Sequence, residues 1–577
     1  MAVAGSGRNL GTRFGRLRLL LAGAATGLIV GACLAVVALN VSDARELAGN
    51  RQWFALAAFV ASPVGVWTSR GLLMGLAVAS VLALLGRPQF VPKRLQAIVW
   101  RLLVLALIAI PLLTIGVKVA PLLRPRPDGP NIVLIVLDTT RPDRLSLYGY
   151  HRPTTPELEE LASEATVYTE AYATSSWTPP SHASLFTGLY PCAHGVTQES
   201  PGDIPRLPSR FLTLAEALWE SGFRTTGING NGILNASTGF SQGFEEYHET
   251  WKLEDQQGRH PAEIQLESIL DSDSDRPFFA FINMIEPHRP YNSSREYFGR
   301  YDRHPQLDLV DIDWAKYLVD KDLYDSDDLQ HLSDLYDSEI QYVDAVIGRM
   351  VELLRARNVL DETLLVITAD HGEHFGEHGL LAHRFNLYET NVRVPLLIRY
   401  PNVFRPGARD TSHVQLHDLF ETILAVAGSG GRYPSQGSNL DVDQKGRTAF
   451  LEYYFPLLEL RVVRDWLFRP GLRPEIADLA EAVPEVKPFM RRLRAIRSGR
   501  LKLIWGSDGN VELYDIPTDP EELTDLSEHE DYAEELEHLK AQLSDQISGC
   551  IGQSPTEQPI QLDEEHIRQL KSLGYIR

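Results

Sequence analysis

The sequence predicts an α/β protein built on a mostly parallel sheet, with a small C-terminal α+β subdomain and an N-terminal transmembrane helical region. Three observations carry this reading. NIVLIVLD at 131–138, FFAFINM at 278–284 and TLLVIT at 363–368 are unbroken apolar runs, the pattern of strands buried on both faces. Amphipathic helical stretches lie between them, for example TLAEALWESG at 213–222, which ends on a glycine, and the long pattern at 332–355. The first 120 residues are apolar with basic punctuation, whereas the remainder is rich in Asp and Glu.

The chain of 577 residues exceeds one ordinary domain, and its formal net charge is −21. An acidic excess of that size repels a nucleic-acid backbone, so no nucleic-acid partner is expected. Residues 1–16 read as a cytoplasmic tail, and 17–120 as about three transmembrane helices. Runs 17–39 and 97–120 are each long enough for a hydrocarbon core of ~30 Å, and the middle region, 54–86, is interrupted by Pro63 and Arg70. The arginines before the first run and the basic loop at 87–94 both face the cytoplasm by the positive-inside rule. An odd number of crossings places all that follows outside the cytoplasm. The expectation is a multi-pass cell-membrane protein with an extracytoplasmic catalytic domain.

Residues 121–130 form a Pro-rich linker. The catalytic domain is expected over 131–430. Its first strand ends at Asp138, which either caps a turn or faces a ligand, since sites in open α/β sheets lie at the C-terminal ends of strands. SSWTPPSHASLFTG at 175–188 reads as a Pro-stiffened turn running into a helix, with Ser181 as N-cap or first-turn residue and Thr178 at the mouth. Such a helix start suits an anion. The strand at 278–284 is followed by His288, and an acidic segment at about 292–331 reads as an insertion at the rim of a site. The strand at 363–368 leads into ADHGEHFGEHG, where Asp370 and His371 offer one oxygen and one nitrogen ligand. His374 and His378 are either further ligands or merely nearby groups, and His383 and Arg384 are proton-donating or cationic candidates. Residues 431–550 read as a small antiparallel subdomain followed by a helix, and 551–577 as a C-terminal tail helix. Of three cysteines, Cys33 lies in an apolar run, leaving Cys192 and Cys550 to pair or stay free.

Five motifs occur in order: NIVLIVLDTTRPDRLSLYGY, SSWTPPSHASLFTGLYP, DSEIQYVDAVIGRM, ITADHGEHFGEHG and NLYETNVRVPLLIRYP. Together they are similar to the sulfatase family of the alkaline phosphatase superfamily, over about residues 131–545. The resemblance implies a three-layer α/β sandwich and a metal-activated nucleophile that attacks a sulfo- or phospho-ester. The residues matching the family's C-x-P-S-R are Thr178, Pro179, Pro180, Ser181 and His182, so a threonine stands where formylglycine would arise. In this it resembles the phosphoethanolamine and phosphoglycerol transferases of the superfamily. The ligand set implied is Asp138, Thr178, Asp370 and His371, and one divalent ion is expected, because Asp337 is followed four residues on by Gln341. An imidazole ligand favours manganese or zinc over calcium or magnesium.

The expected chemistry is attack by Thr178 on a lipid- or glycan-linked phosphoester. His288 or His383 protonates the leaving oxygen, with Arg384 and His182 as charge stabilisers. A sulfuric ester hydrolase using unmodified threonine is the alternative. An inactive membrane scaffold is disfavoured by the presence of all four ligand-site residues. The sequence does not fix the oligomeric state.

Overall fold

A computed structural model describes residues 127, 129–197, 199, 204–253, 258–292, 296–442, 446–469, 471–550 and 568. The chain divides into two compact units, Met1–Arg124 and Pro125–Arg577, and the second holds all of the described residues. Its strands, in chain order, are β1 (Asn131–Leu137), β2 (Thr166–Tyr172), β3 (Arg224–Asn229), β4 (Glu246–Glu249), β5 (Phe278–Met284) and β6 (Thr363–Ala369). They continue with β7 (His374–Phe375), β8 (Leu381–Ala382), β9 (Arg393–Arg399), β10 (Ala408–Asp410) and β11 (Val414–Gln415). The main sheet has the order β10-β2-β9-β6-β1-β5-β3-β4, with β11 also on β2, while β7 and β8 pair separately.

β1 sits between β5 and β6 and is parallel to both, with Leu134 opposite Phe281 and Val366. All of β5 and β6, and β1 from Ile132 onward, are buried. A strand covered on both faces has no solvent side to mark with polar residues, which is why these three read as unbroken apolar runs. β9 runs antiparallel to β6 and β2, so the sheet is mixed but mostly parallel.

The helices used below are α1 (Pro156–Ala162), α2 (Thr178–Thr187), α3 (Pro191–His194), α4 (Leu214–Glu220), α5 (Pro261–Leu270), α6 (Trp314–Val319) and α7 (Ser326–Ala356). They are followed by α8 (Asp418–Val426), α9 (Leu457–Leu467) and α10 (Ala533–Cys550). α1 and α5 pack against α7, while α2, α3, α4 and α8 form a second group. α4 opens with a capping box in which Thr213 and Glu216 bond each other's backbone N–H groups. α7 begins six residues before the expected 332, because Asp325 and Asp328 form a capping box and acidic residues favour the positive end of a helix dipole. The segment expected as an irregular insertion also contains α6, capped by Asp313.

The C-terminal part is an antiparallel sheet of β12 (Thr448–Tyr453), β13 (Leu493–Ser498), β14 (Leu501–Gly506) and β15 (Val511–Asp515). Leu536, Leu539 and Leu543 of α10 cover it through Ile496, Leu503 and Leu513. The buried Lys502 ammonium of β14 lies 3.0 Å from Glu389 Oε1, in the segment that leads into β9, and 2.8 Å from Glu522 Oε1. Cys192 and Cys550 form a disulfide that ties α3 to α10.

The expected location, a multi-pass protein of the cell membrane, is corrected: among the described residues no helix is long and apolar enough to cross a membrane. The three spans expected over 17–120 and the tail helix expected over 551–577 lie outside the described residues, except for residue 568.

On α7, Asp344 is buried and accepts the backbone N–H groups of Glu157 and Leu158 at the start of α1. Burial outweighs those two donors and pushes its carboxyl from 3.8 up to about 7. The folded state therefore holds a proton that the unfolded chain releases. The resulting stabilisation is complete below 3.8 and is lost as pH rises through about 7. Asp344→Asn should remove this dependence: in thermal unfolding between those pH values, wild type loses stability relative to the variant as pH rises.

Candidate active site

Two strand-to-loop junctions and one helix start converge on a single point. Asp138 follows β1, Asp370 and His371 follow β6, and Thr178 opens α2. One ligand atom from each of Asp138, Asp370 and His371 lies within 4.8 Å of the others, and all three residues are buried. Thr178 Oγ1 is 3.1 Å from His371 Nε2. His371 Nδ1 lies 2.9 Å from the Gly372 carbonyl, which can only accept, so Nδ1 carries the proton and Nε2 presents its lone pair to Thr178. Burial, with a smaller contribution from the Arg384 charge, holds His371 down at about 3, so the ring is neutral.

The two carboxylates are buried neighbours. Burial first, and Asp370 second, push Asp138 well above the usual carboxylate range. Burial also raises Asp370, against the pull of His182. Asp370 Oδ1 accepts the N–H groups of Thr139 (3.2 Å) and His371 (2.9 Å). Asp138 Oδ2 accepts from Asn231 Nδ2 at 2.7 Å, while Asp138 Oδ1 and Thr139 Oγ1 are buried without a hydrogen-bond partner. Two buried carboxylates, one imidazole lone pair and an orphaned carboxylate oxygen are the donor set a divalent cation needs. Thr139 itself has φ 57, a left-handed conformation costly for a β-branched residue. It is held there by the N–H bond to Asp370 and by the Tyr336 hydroxyl of α7, which donates to the Thr139 carbonyl at 2.6 Å and accepts from Arg141 N–H at 3.0 Å.

α2 starts three residues before the expected cap. Trp177 is the extended N-cap and Thr178 the first helical residue, because prolines fit a first turn that needs no N–H donors. Ser181 is therefore inside the helix, and its hydroxyl donates to the Asp370 carbonyl at 2.7 Å. Pro179 and Pro180 carry no N–H, and the Ser181 N–H is bonded to Trp177 O at 3.2 Å. The first turn thus offers an anion its dipole but no row of donors.

The remaining candidates surround this core. His383 stacks beside His371 with ring centroids 4.4 Å apart, and His288 lies 5.3 Å beyond His383. His383 Nδ1 is 3.1 Å from Glu373 Oε1, and its Nε2 is buried without a hydrogen bond. Burial pushes Glu373 up to about 8, against Arg289 and Arg384. His288 Nδ1 donates to its neighbour's carbonyl, Arg289 O, at 2.7 Å. Burial holds both His288 and His383 well below the ordinary histidine range. Arg384 is buried, and its charge further depresses all three histidines. His182 lies one turn into α2, with Nδ1 3.0 Å from Thr178 O and 3.5 Å from Asp370 Oδ2, and its ring edge-on to Phe186 and Phe281. His374 and His378 stand apart: His374 contacts Thr390 at 3.3 Å, and His378 stacks on Tyr388 at 3.7 Å.

Sequence reasoning missed Asn231, Glu373 and Tyr336. Asn231 was findable, since it stands just past the end of β3, where the other site residues stand on their strands. Glu373 sits inside the quoted ADHGEH motif, and Tyr336 carries no local signal that sets it apart from other core tyrosines.

A family model described as Sulfatase matches residues 130–429. Among curated proteins, the chain is 25% identical to the choline-sulfatase of Rhizobium meliloti over 288 residues, 46% of this chain and about half (49%) of that protein. It is 23% identical to the N-acetylglucosamine-6-O-sulfatase of Bacteroides thetaiotaomicron over 506 residues, covering 71% of this chain and 85% of that one. Among solved structures, the phosphonate monoester hydrolase of Agrobacterium radiobacter superposes with a TM-score of 0.58 at 22% identity, over 73% of this chain and 96% of that one.

Because Asn231 holds one oxygen of Asp138, Asn231→Ala should weaken divalent-metal binding by about 10- to 100-fold, with unchanged circular dichroism. Calorimetric titration with manganese or zinc reads this directly.

Proposed function

The chain belongs to the sulfatase family, whose model matches residues 130–429, and from that premise we propose that it hydrolyses sulfuric esters with Thr178 as nucleophile. It is an enzyme of the ester-hydrolase class. The observation that carries the finer reading is the Thr178 hydroxyl, 3.1 Å from the lone-pair nitrogen of His371 and beside two buried carboxylates. A sulfated glycan is the favoured substrate. Relatives are named for choline sulfate and N-acetylglucosamine 6-sulfate, and a fold neighbour was solved with D-glucosamine-2-N,6-O-disulfate.

Asp138, Thr178, Asp370 and His371 would hold one divalent ion, with manganese or zinc favoured by the imidazole and calcium or magnesium admitted. Such an ion, when bound, supplies positive charge that makes a hydroxyl more acidic and offsets the charge of ester oxygens. The Thr178 oxygen attacks sulfur in line, its hydroxyl proton passing to the Asp370 carboxylate to which it is hydrogen-bonded, and the Thr178 O–S bond forms as the ester S–O bond breaks. The leaving oxygen takes a proton from His383 Nε2, which carries it because the Glu373 carboxyl, pushed up to about 8, keeps its own proton and donates it to Nδ1; the Nδ1 proton of His288 is committed to Arg289 O. Water then cleaves the sulfo-threonine, releasing sulfate and the Thr178 hydroxyl. With few N–H donors at the start of α2, stabilisation of the transferring group falls to side chains, foremost Arg384, with His182 adjusting the charge of Asp370.

A phosphoester substrate is the second reading. It is favoured by the threonine itself, which cannot become formylglycine, and by the fold neighbour named as a phosphonate monoester hydrolase. The full-length, metal-loaded protein should be compared on aryl sulfate, aryl phosphate and aryl phosphonate monoester, with Thr178→Ala alongside. Sulfate-ester turnover that drops ~10³-fold or more in the variant supports the proposal. Turnover of the phosphorus esters alone moves the second reading to first place, and a fully active Thr178→Ala removes the nucleophile assignment. Chelation should abolish turnover, and manganese or zinc should restore it.

A further inference from the structure

Tyr336 of α7 is fully buried and stands where the three loops of the site meet. Its ring packs against two others: Tyr291, in the loop after β5, at 6.0 Å, and Phe375 of β7, in the loop after β6, at 5.0 Å. Those loops carry His288 and His371. Its hydroxyl serves the loop after β1, donating to Thr139 O at 2.6 Å and accepting Arg141 N–H at 3.0 Å. Burial holds the phenol above the usual tyrosine range, so it keeps the proton that it donates. The next residue of the helix, Asp337, grips the same loop farther on, accepting the Tyr150 hydroxyl at 2.6 Å and Arg152 Nη1 at 2.7 Å. The loop that starts at Asp138 is thus fastened to one helix near both of its ends.

The hydroxyl matters because of the conformation it maintains. At φ 57 Thr139 lies in a region that β-branched residues avoid. The peptide groups on either side of its Cα are each tied: the N–H to Asp370 Oδ1 at 3.2 Å, the carbonyl to Tyr336. Holding both groups holds φ. The first tie joins the residue after Asp138 directly to Asp370, so the torsion at Thr139 sets how the two carboxylates stand to one another. The Thr139 side chain supplies none of this restraint, since Oγ1 is buried without a hydrogen-bond partner. Without the Tyr336 tie, φ would relax toward the ordinary negative range and turn the N–H away from Asp370.

We propose that Tyr336 is a positioning residue of the metal centre: by holding Thr139 left-handed, its hydroxyl keeps Asp138 and Asp370 arranged for a divalent cation. The inference rests on the ion-binding part of the ester-hydrolase reading, and it assigns part of the cation affinity to a helix outside the ligand set. Its probe is manganese, with zinc in parallel, titrated by calorimetry into the full-length protein after chelation.

Tyr336→Phe, which keeps the ring and its packing, should weaken binding about tenfold with unchanged circular dichroism. Thr139→Gly, which adopts φ 57 without strain, should bind within about twofold of wild type. In that background Tyr336→Phe should cost less than about threefold, because glycine no longer needs the restraint. Tyr168→Phe removes another buried hydroxyl, bonded to Leu440 O at 3.3 Å, and should lower the melting temperature while leaving manganese affinity unchanged. Equal losses from Tyr336→Phe in the two backgrounds, no loss in either, or an equal loss from Tyr168→Phe overturns the proposal. Wild type that binds neither metal overturns it as well. If wild type turns over an ester and the Tyr336→Phe variant binds both metals as tightly as wild type, this inference falls alone. If wild type turns over no ester yet binds manganese in a Tyr336-dependent way, the ester-hydrolase reading falls instead.

Discussion

The structure is organised around two carboxylates that should not be neighbours. Asp138 and Asp370 lie close together in the buried interior, each raised by burial, and Asp138 is raised further by its neighbour. Left alone, such a pair sheds its charge by taking up protons. Here the surroundings restrain each group instead: Asn231 holds one oxygen of Asp138, while backbone N–H groups hold one of Asp370. Positions that look unrelated in the sequence serve this restraint, including Ser181 inside α2, Tyr336 on α7 and the strained Thr139. A cation bound between them would offset the cost of burying the pair.

Around that pair the charge is graded. His371, His383 and His288 stand in a row, all held neutral by burial, and the fixed positive charges, Arg384 and Arg289, lie beyond. Neutral imidazoles can donate or accept according to which nitrogen is engaged, and each of the three has its Nδ1 engaged by a carbonyl or carboxyl group. The row therefore turns its Nε2 atoms away from those anchors. That ordering is a property of loops, not of strands, yet the loops take it from rigid strand ends.

The sheet was legible in the sequence because burial on both faces leaves a long apolar run with nothing to interrupt it, as in β1, β5 and β6. Asp138, Asp370 and His371 were legible for a related reason: a polar residue directly after such a run stands at the end of a strand. The start of α2 was not, because a Pro-Pro pair fits both a turn and a first helical turn, and only the extended Trp177 decides between them. The first turn of α7 was hidden by its own acidity, which reads as a solvated loop until Asp325 is seen to cap it. Tyr336 and Thr139 could not be paired from the sequence, since nothing local to either residue records their meeting. The location inferred from the N-terminal apolar runs did not stand.

The disulfide between Cys192 and Cys550 joins residues 358 positions apart. Cys192 belongs to α3, which packs against the helix that begins with Thr178. During synthesis Cys192 emerges early, while its partner appears only after both sheets have been made. The neighbourhood of Thr178 is therefore assembled first and fastened last. A chain released before residue 550 would carry Asp138, Thr178, Asp370 and His371 and still lack the bond that ties α3 to α10, so the presence of that bond records that translation ran through to the last described helix.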